Sequence, residues 1–307
     1  MTTLRLRTRQ PRCAFHVRRG VTLIELLIAM TLLAIIGASL VKLLMSQVRF
    51  ADTQIAAKDA REASRATLNV IASDIGMVDA DSGVIVATAD SFTVLAPYAL
   101  GMVCGTSAGG SGSVIALLPY DSASYAEGGY SGYAYVDTTT TGTQYTQVYQ
   151  YKYTTTNPTT MDSATAATTS PCRTATDQYG LFGSGAVIVQ PVIPTKSIGQ
   201  AAFLFRRITY SFKPSTTISG ARGLYRRVIN GTRGAEEIMA PFDASAKFMY
   251  AINDGTTAAS AGGATLNKIR GIQLQLTGIS DHVVAGASVK QSAPLSTTIF
   301  FKNRPRQ

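Results

Sequence analysis

The sequence is poor in charge, in histidine, in cysteine and, over one long stretch, in proline. Asp, Glu, Lys and Arg make up 15% of the 307 residues, while Gly, Ser, Thr and Ala are abundant. Of the two histidines, His16 and His282, only His282 lies beyond residue 20, which excludes a histidine-rich metal site there. Proline is absent from Val21 to Ala96, so nothing in that stretch forces a helix to break. Enzyme motifs are equally scarce. "GTSAG", Gly105 to Gly109, matches G-x-S-x-G around Ser107, and Asp243, Asp254 and His282 follow in the Ser, Asp, His order of α/β-hydrolases. That motif needs a strand feeding a sharp turn into a helix, and the "AGGSGS" after Ser107 cannot start one. "DADSG", Asp79 to Gly83, lacks the twelve-residue frame and terminal Glu of a calcium loop and reads as a helix-end cap and turn. "GLFGSGAV" is not a dinucleotide fingerprint. No catalytic, cofactor-binding or metal-binding set emerges.

What is present is one apolar run, "RRGVTLIELLIAMTLLAIIGASLVKLLM", residues 18 to 45, with Glu25 inside it. Its uncharged part, Leu26 to Val41, is 16 residues, slightly short of the roughly 17–25 that a bilayer span needs. Val21 to Met45 is 25 residues and long enough, but it takes in Glu25 and Lys42. An acid at the centre of a membrane helix costs about 3 kcal/mol and calls for a partner. The nearest positive charges, Arg18 and Arg19, lie on the other side of Gly20. With Arg5, Arg7, Arg9 and Arg12 they supply six of the ten excess positive charges, and they orient the run with its N-terminus in the cytoplasm. The run exceeds the roughly 7–15 residues of a secretory h-region, and no A-x-A-like site follows Met45. The peptidase-like feature, Arg-Arg-Gly before an apolar residue, precedes the run instead. A cut after Gly20 gives Val21 a free α-amine four residues ahead of Glu25, on one helix face. The carboxylate also suits the positive end of the helix dipole. Glu25 then meets a terminal amine made by processing: its own before assembly, or a neighbour's once helices bundle.

"GVTLIELLIAM" resembles the N-terminal processing motif of type IV pilins and of the related type II secretion pseudopilins. The resemblance implies a prepilin peptidase that cuts after Gly20 and N-methylates Val21, and an assembly role for Glu25. Val21 stands where the family usually has phenylalanine.

Further along, "QVRFADTQIAAKDAREASRATLNVIASDIGMV" places Val48, Ile55, Ala63, Val70, Ile71, Ile75 and Val78 mostly at helical spacings, with Lys58, Asp59, Arg61, Glu62 and Arg65 between them. The spacing predicts a helix from Val21 to about Ile75, roughly 80 Å long, stopped by Gly76. Its first half is expected to bundle and its amphipathic second half to lie on a sheet. Gly37 with Ser39 is the weakest stretch and the expected place of bending or melting. Many family members carry a proline near there; this chain has Lys42. After Asp79 the pattern turns to strands. "SGVIVATADSFTVLAP" predicts two strands around Ala89–Asp90. "SVIALLPY", "GAVIVQPVIP", "AFLFRRITYSF", "GLYRRVI", "KFMYAI", "KIRGIQLQLTG" and "TTIFFKNRP" are further strands. The order "ITYSF…GLYRR…EEIMAP…KFMYAI…KIRGIQLQL", over about residues 200–302, resembles the globular part of PilW-like minor pilins and of J-type minor pseudopilins. The expected fold is α+β: a basic leader at 1–20 that is removed, a long helix at 21–76 with 21–45 in the membrane or filament core, and an antiparallel β-rich periplasmic head at 77–307.

The head contains a biased insertion at about 105–180, which holds ten of the 14 tyrosines. "YSGYAYVD" and "TQYTQVYQYKYTTT" alternate like edge hairpins with tyrosine on one face. Two readings stand: a polar insertion packing on its own domain, or a recognition surface built from rigid amphipathic tyrosines. Cys104 and Cys172 bracket most of it. Cleavage removes Cys13 and leaves this pair in an oxidising compartment, where a bridge is worth on the order of 4 kcal/mol by loop-closure entropy; two unpaired buried thiols are the other reading. Residues 206–270 carry an excess of basic charge that includes Arg206, Arg207, Arg226, Arg227 and Arg233. These read either as solvated strand faces paired with Glu236 and Glu237, or as a surface for DNA or another anionic polymer. The functional expectation is a non-enzymatic minor pilin precursor, held in the inner membrane before assembly and then exported into a filament, at an initiating or tip complex. Its partners would be the prepilin peptidase, other minor pilins and the major pilin. A J-type minor pseudopilin of a type II secretion system, and a tip adhesin or DNA-binding module, are the alternatives.

Overall fold

The computed structural model describes residues 20–79, 83–107, 110–118, 121, 129–141, 144–153, 159–161 and 186–302, with the backbone alone for 138–141, 144–149 and 159–161. The secondary structure is α+β. Helix α1, Leu23–Ile75, is followed, among the described residues, by fourteen strands: β1 Val84–Ala87, β2 Ser91–Thr106, β3 Ser113–Leu117, β4 Tyr130–Thr141, β5 Gln144–Tyr153, β6 Thr159–Met161, β7 Ala186–Val189, β8 Ala201–Pro214, β9 Arg222–Val228, β10 Glu236–Phe242, β11 Lys247–Ile252, β12 Thr257–Ala258, β13 Ile269–Ile279 and β14 Ser292–Phe300. Two compact units divide between Asp52 and Thr53.

In the first unit α1 presents its apolar side chains to solvent, with Leu23 80% and Leu33 74% exposed. It is long and apolar enough to cross a membrane. The helix is unbroken through Gly37 and Ser39. The small polar side chains there stay within it: Ser39 Oγ donates to the Ile35 carbonyl at 3.0 Å and Thr31 Oγ1 to that of Ile28 at 2.9 Å. The melting expected at Gly37 is therefore absent from this conformation.

The second unit is one antiparallel sheet in the order β12-β11-β13-β10-β9-β8-β2-β3-β7-β6, with β1 on β2, β14 on β13, and β4 between β8 and β5. The β1–β2 hairpin turns at Ala89–Asp90, and α1 ends where Gly76 follows it, as the spacing predicts. The main core gathers Ile71 and Ile75 of α1 against Phe92, Ile208, Tyr210, Phe212, Phe242, Phe248, Tyr250 and Leu274. Stacked and edge-on ring pairs run through it, such as Phe92 with Phe248 at 4.7 Å and Phe212 with Phe248 at 4.7 Å.

The buried stripe of α1 is Ala56, Ala60, Ala63, Ser64, Thr67, Ile71 and Ile75. Ala63, Ile71, Ile75 and Val78 are buried as expected, but Val48, Ile55 and Val70 face out. The reason is a close approach. A Cβ on Gly278 of β13 would lie 2.0 Å from the Ala60 carbonyl oxygen and 2.8 Å from Ser64 Oγ. Only small side chains fit where the helix sits directly on the strand backbone, so Ile55 is turned away there, while Ile71 and Ile75 enter the core further along.

The tyrosine-rich strands belong to the same sheet. Along β4, Tyr130, Tyr133 and Tyr135 are buried in a second core with Ile115, Leu117, Val187 and Leu204. The Tyr133 hydroxyl donates to the Pro191 carbonyl. These three tyrosines pack inside the domain instead of forming a surface. Tyr151 and Tyr153 of β5 cover Phe205 on the other face, with ring centroids 5.7 and 5.8 Å away, and Tyr153 is 55% exposed. Tyr120, Tyr125 and Tyr179 lie outside the described residues.

Candidate functional site

The N-terminal constellation is built by the first turn of α1. Thr22 precedes the helix, and its Oγ1 accepts the Glu25 backbone N–H at 3.3 Å, so Thr22 caps the helix. Thr22 and Glu25 have the spacing of a capping box, a signal present in "TLIE" that the hydrophobic reading passed over. The cap fixes the helix start beside Val21 and sets Glu25 in the first turn. Glu25 and Val21 are exposed, and among the described residues Glu25 has no ion-pair partner. Gly20 is exposed, and a Cβ added there would meet nothing within 4 Å. The described fold therefore does not itself demand glycine at this position. Arg18 and Arg19 lie outside the described residues.

Where α1 ends, a polar junction ties it to the sheet. The Tyr210 hydroxyl donates to Asp74 Oδ2 at 2.5 Å, and Arg226 Nε donates to the same oxygen at 2.9 Å. Burial, and then the Asp74 charge, push the Tyr210 phenol well above its ordinary range, which keeps it a donor. Tyr210 and Arg226 are register partners on β8 and β9, so both reach the helix from the same face.

This assignment splits the basic residues. Successive residues on a strand face opposite sides. Arg206 shares the helix-facing side with Tyr210 and Arg226, whereas Arg207 and Arg227 lie on the other side. Arg206 packs over the Tyr98 ring at 4.1 Å. Arg226 is committed to Asp74, and exposed Arg233 stands 3.7 Å from Glu236. The five arginines do not share one face. Glu237 departs from the expected ion pair. Burial works to raise its carboxyl, but hydrogen bonds from Ser215, from the hydroxyl and amide of Thr216, and from Tyr225 bring it down to about 2. It organises the turn after β8 with hydroxyls, leaving the arginines aside.

Ser107 sits at the end of β2, where its Oγ accepts the Gly112 N–H at 3.2 Å, and the next element is the strand β3. The helix that a hydrolase motif requires is not the element that follows. No cluster of three metal-ligating side chains occurs among the described residues. Cys104 is buried near the end of β2, and Cys172 lies outside the described residues.

No curated protein and no solved structure matches the chain at a significant level. One family model does match, the prokaryotic N-terminal methylation motif, over residues 16–41. It covers Gly20, Val21 and Glu25 together with the first turns of α1. The N-terminal segment is thus that of a type IV pilin-like or pseudopilin-like precursor, an apolar methylation-motif helix leading into a β-sheet domain.

Proposed function

We propose that the chain is the precursor of a PilW-like minor pilin, a non-enzymatic subunit of the initiating or tip complex of a type IV filament. The observation that carries this is Glu25: a carboxylate in the first turn of an exposed apolar helix, without an ion-pair partner among the described residues and four residues from Val21. A prepilin peptidase cuts after Gly20, which explains a glycine that the described fold does not need. Val21 to Met45 then holds the subunit in the inner membrane with the β-rich head in the periplasm. On assembly the helix leaves lipid for a bundle, where Glu25 pairs with a terminal amine in a low dielectric. A J-type minor pseudopilin would use the same N-terminal chemistry. Cys104, buried near the end of β2, pairs in this reading with Cys172 and ties off the base of the insertion.

The test is Glu25→Leu. Removing the acid lowers the insertion cost by up to about 3 kcal/mol, so membrane levels are expected to hold while co-isolation with partner subunits is lost. Glu25→Gln should be intermediate at best. Wild-type assembly of Glu25→Leu would contradict the pairing.

A further inference from the structure

Among the described residues β14 pairs with β13 alone, through nine consecutive rows from Gly271↔Phe300 to Ile279↔Ser292 without a bulge. Two backbone bonds fix its orientation: Ser280 N–H donates to the Gln291 carbonyl at 2.8 Å, and Phe301 N–H to that of Arg270 at 3.0 Å. In an antiparallel ladder the residues of a strand turn their N–H and C=O alternately to either neighbour. The odd-numbered residues of β14 therefore bond β13, and Ser292, Ser296, Thr298 and Phe300 turn theirs to the open edge. Pro294 falls in the outward set, where its missing N–H costs no ladder bond. Edge strands are ordinarily blunted by charge, bulges or cover. From Ser292 to Phe300 this one has no charged residue, and Ser292, Pro294, Ser296 and Phe300 are exposed.

We propose that the open edge of β14 is a docking site for an extended strand of another protein, one flanked by acidic residues. Two features choose that occupant. Lys290 and Lys302 stand two residues beyond either end of the strand, and Lys247 lines a groove of about 480 Å³ that reaches Ser296 at the edge. A cation therefore stands beyond each end of an uncharged row of backbone groups, and Lys247 lies in the row of Ser296 two strands in. The same charges oppose a second copy: the symmetric pairing that uses all nine residues centres on Ser296 and sets Lys290 against Lys302 at both ends, and like charges facing across a ladder repel. Strand addition takes its affinity from backbone bonds and its selectivity from what flanks them. The complete run of outward donors and acceptors is Ser296–Phe300, with exposed Phe300 as its apolar contact and Pro294 as its limit. This inference does not depend on the filament-assembly reading.

The test uses the detergent-solubilised full chain and two synthetic peptides. Each peptide has seven alternating valines and threonines; one carries two glutamates at each end, the other two lysines. The glutamate peptide is expected to bind at least tenfold more tightly at low salt and to slow amide exchange at Ser296, Thr298 and Phe300. Thr298→Pro removes one outward N–H without touching the bonds to β13, and should weaken that binding at least tenfold. Lys302→Glu, an exposed change, should cut the preference between the peptides to below threefold, and it stands independently if the proline variant fails to fold. No binding, equal binding of both peptides, or protection elsewhere overturns the proposal. Concentration-dependent dimerisation abolished by Thr298→Pro would give the edge to a second copy and would equally overturn it.

Discussion

Gly278→Ala presses on the contact that seats the second half of α1 on the sheet. The added Cβ would stand 2.0 Å from the Ala60 carbonyl oxygen, 2.9 Å from its carbon and 2.8 Å from Ser64 Oγ. Ser64 can rotate away, but Ala60 O is helix backbone and cannot. Ordinary contact between unbonded atoms needs about 3.5 Å, so the helix must lift or the strand must bow. Overpacking of this kind costs about 1–3 kcal/mol. For a domain of this size each kcal/mol lowers Tm by about 2–4 °C, which gives a drop of about 2–12 °C on the same estimate. The assay is thermal unfolding of the solubilised chain followed by near-ultraviolet circular dichroism of its tyrosines. Gly262→Ala is the control, since a Cβ there meets nothing within 4 Å and its φ of −144° suits alanine; its effect should stay within about 0.5 kcal/mol. An unchanged Tm for Gly278→Ala, or an equal drop for both variants, would refute the seating argument.

Glu237 makes stability depend on acid. Its carboxyl is lowered to about 2 in the folded chain from an ordinary value of 4.5, so its contribution is complete above about pH 4.5 and is lost as pH falls toward 2. Wild type should lose Tm across that window more steeply than Glu237→Gln; parallel profiles would remove the hydroxyl cluster as the cause. For the proposed Cys104–Cys172 bridge, non-reducing peptide mapping of exported protein is expected to recover the two linked. Free alkylation of both in unfolded, unreduced protein would leave the insertion held by packing alone.

The N-terminal motif was legible because it rests on few residues at fixed spacing, and Gly20, Val21 and Glu25 can be read without a fold. The strands were legible where alternation meets a buried face, as in β8, β11 and β13. The seam of α1 was not, because hydrophobic spacing favours Val48, Ile55 and Val70. The closeness of Gly278 to Ala60 selects small residues instead, and that closeness belongs to the tertiary structure. β14 begins at Ser292, five residues ahead of the "TTIFF" signal. Its first half, Ser292–Ser296, contains Pro294 and no β-branched or aromatic residue, so strand propensity is weak there although the pairing with β13 is complete. The tyrosines of β4 show the converse. Their alternation marks a strand, but it lies between β5 and β8 and its tyrosines pack into the second core. The arginines of β8 and β9 could not be sorted at all, since which side of a sheet holds the helix is set by register.

The central claim is that the mature chain begins at Val21. Intact-mass and N-terminal peptide mass spectrometry of the protein isolated from assembled filament or tip complex tests it most directly. The account predicts a chain starting at Val21 with one added N-methyl group, and an uncut precursor when Gly20 is replaced by a bulky residue. A filament-associated chain that still begins at Met1 would contradict it.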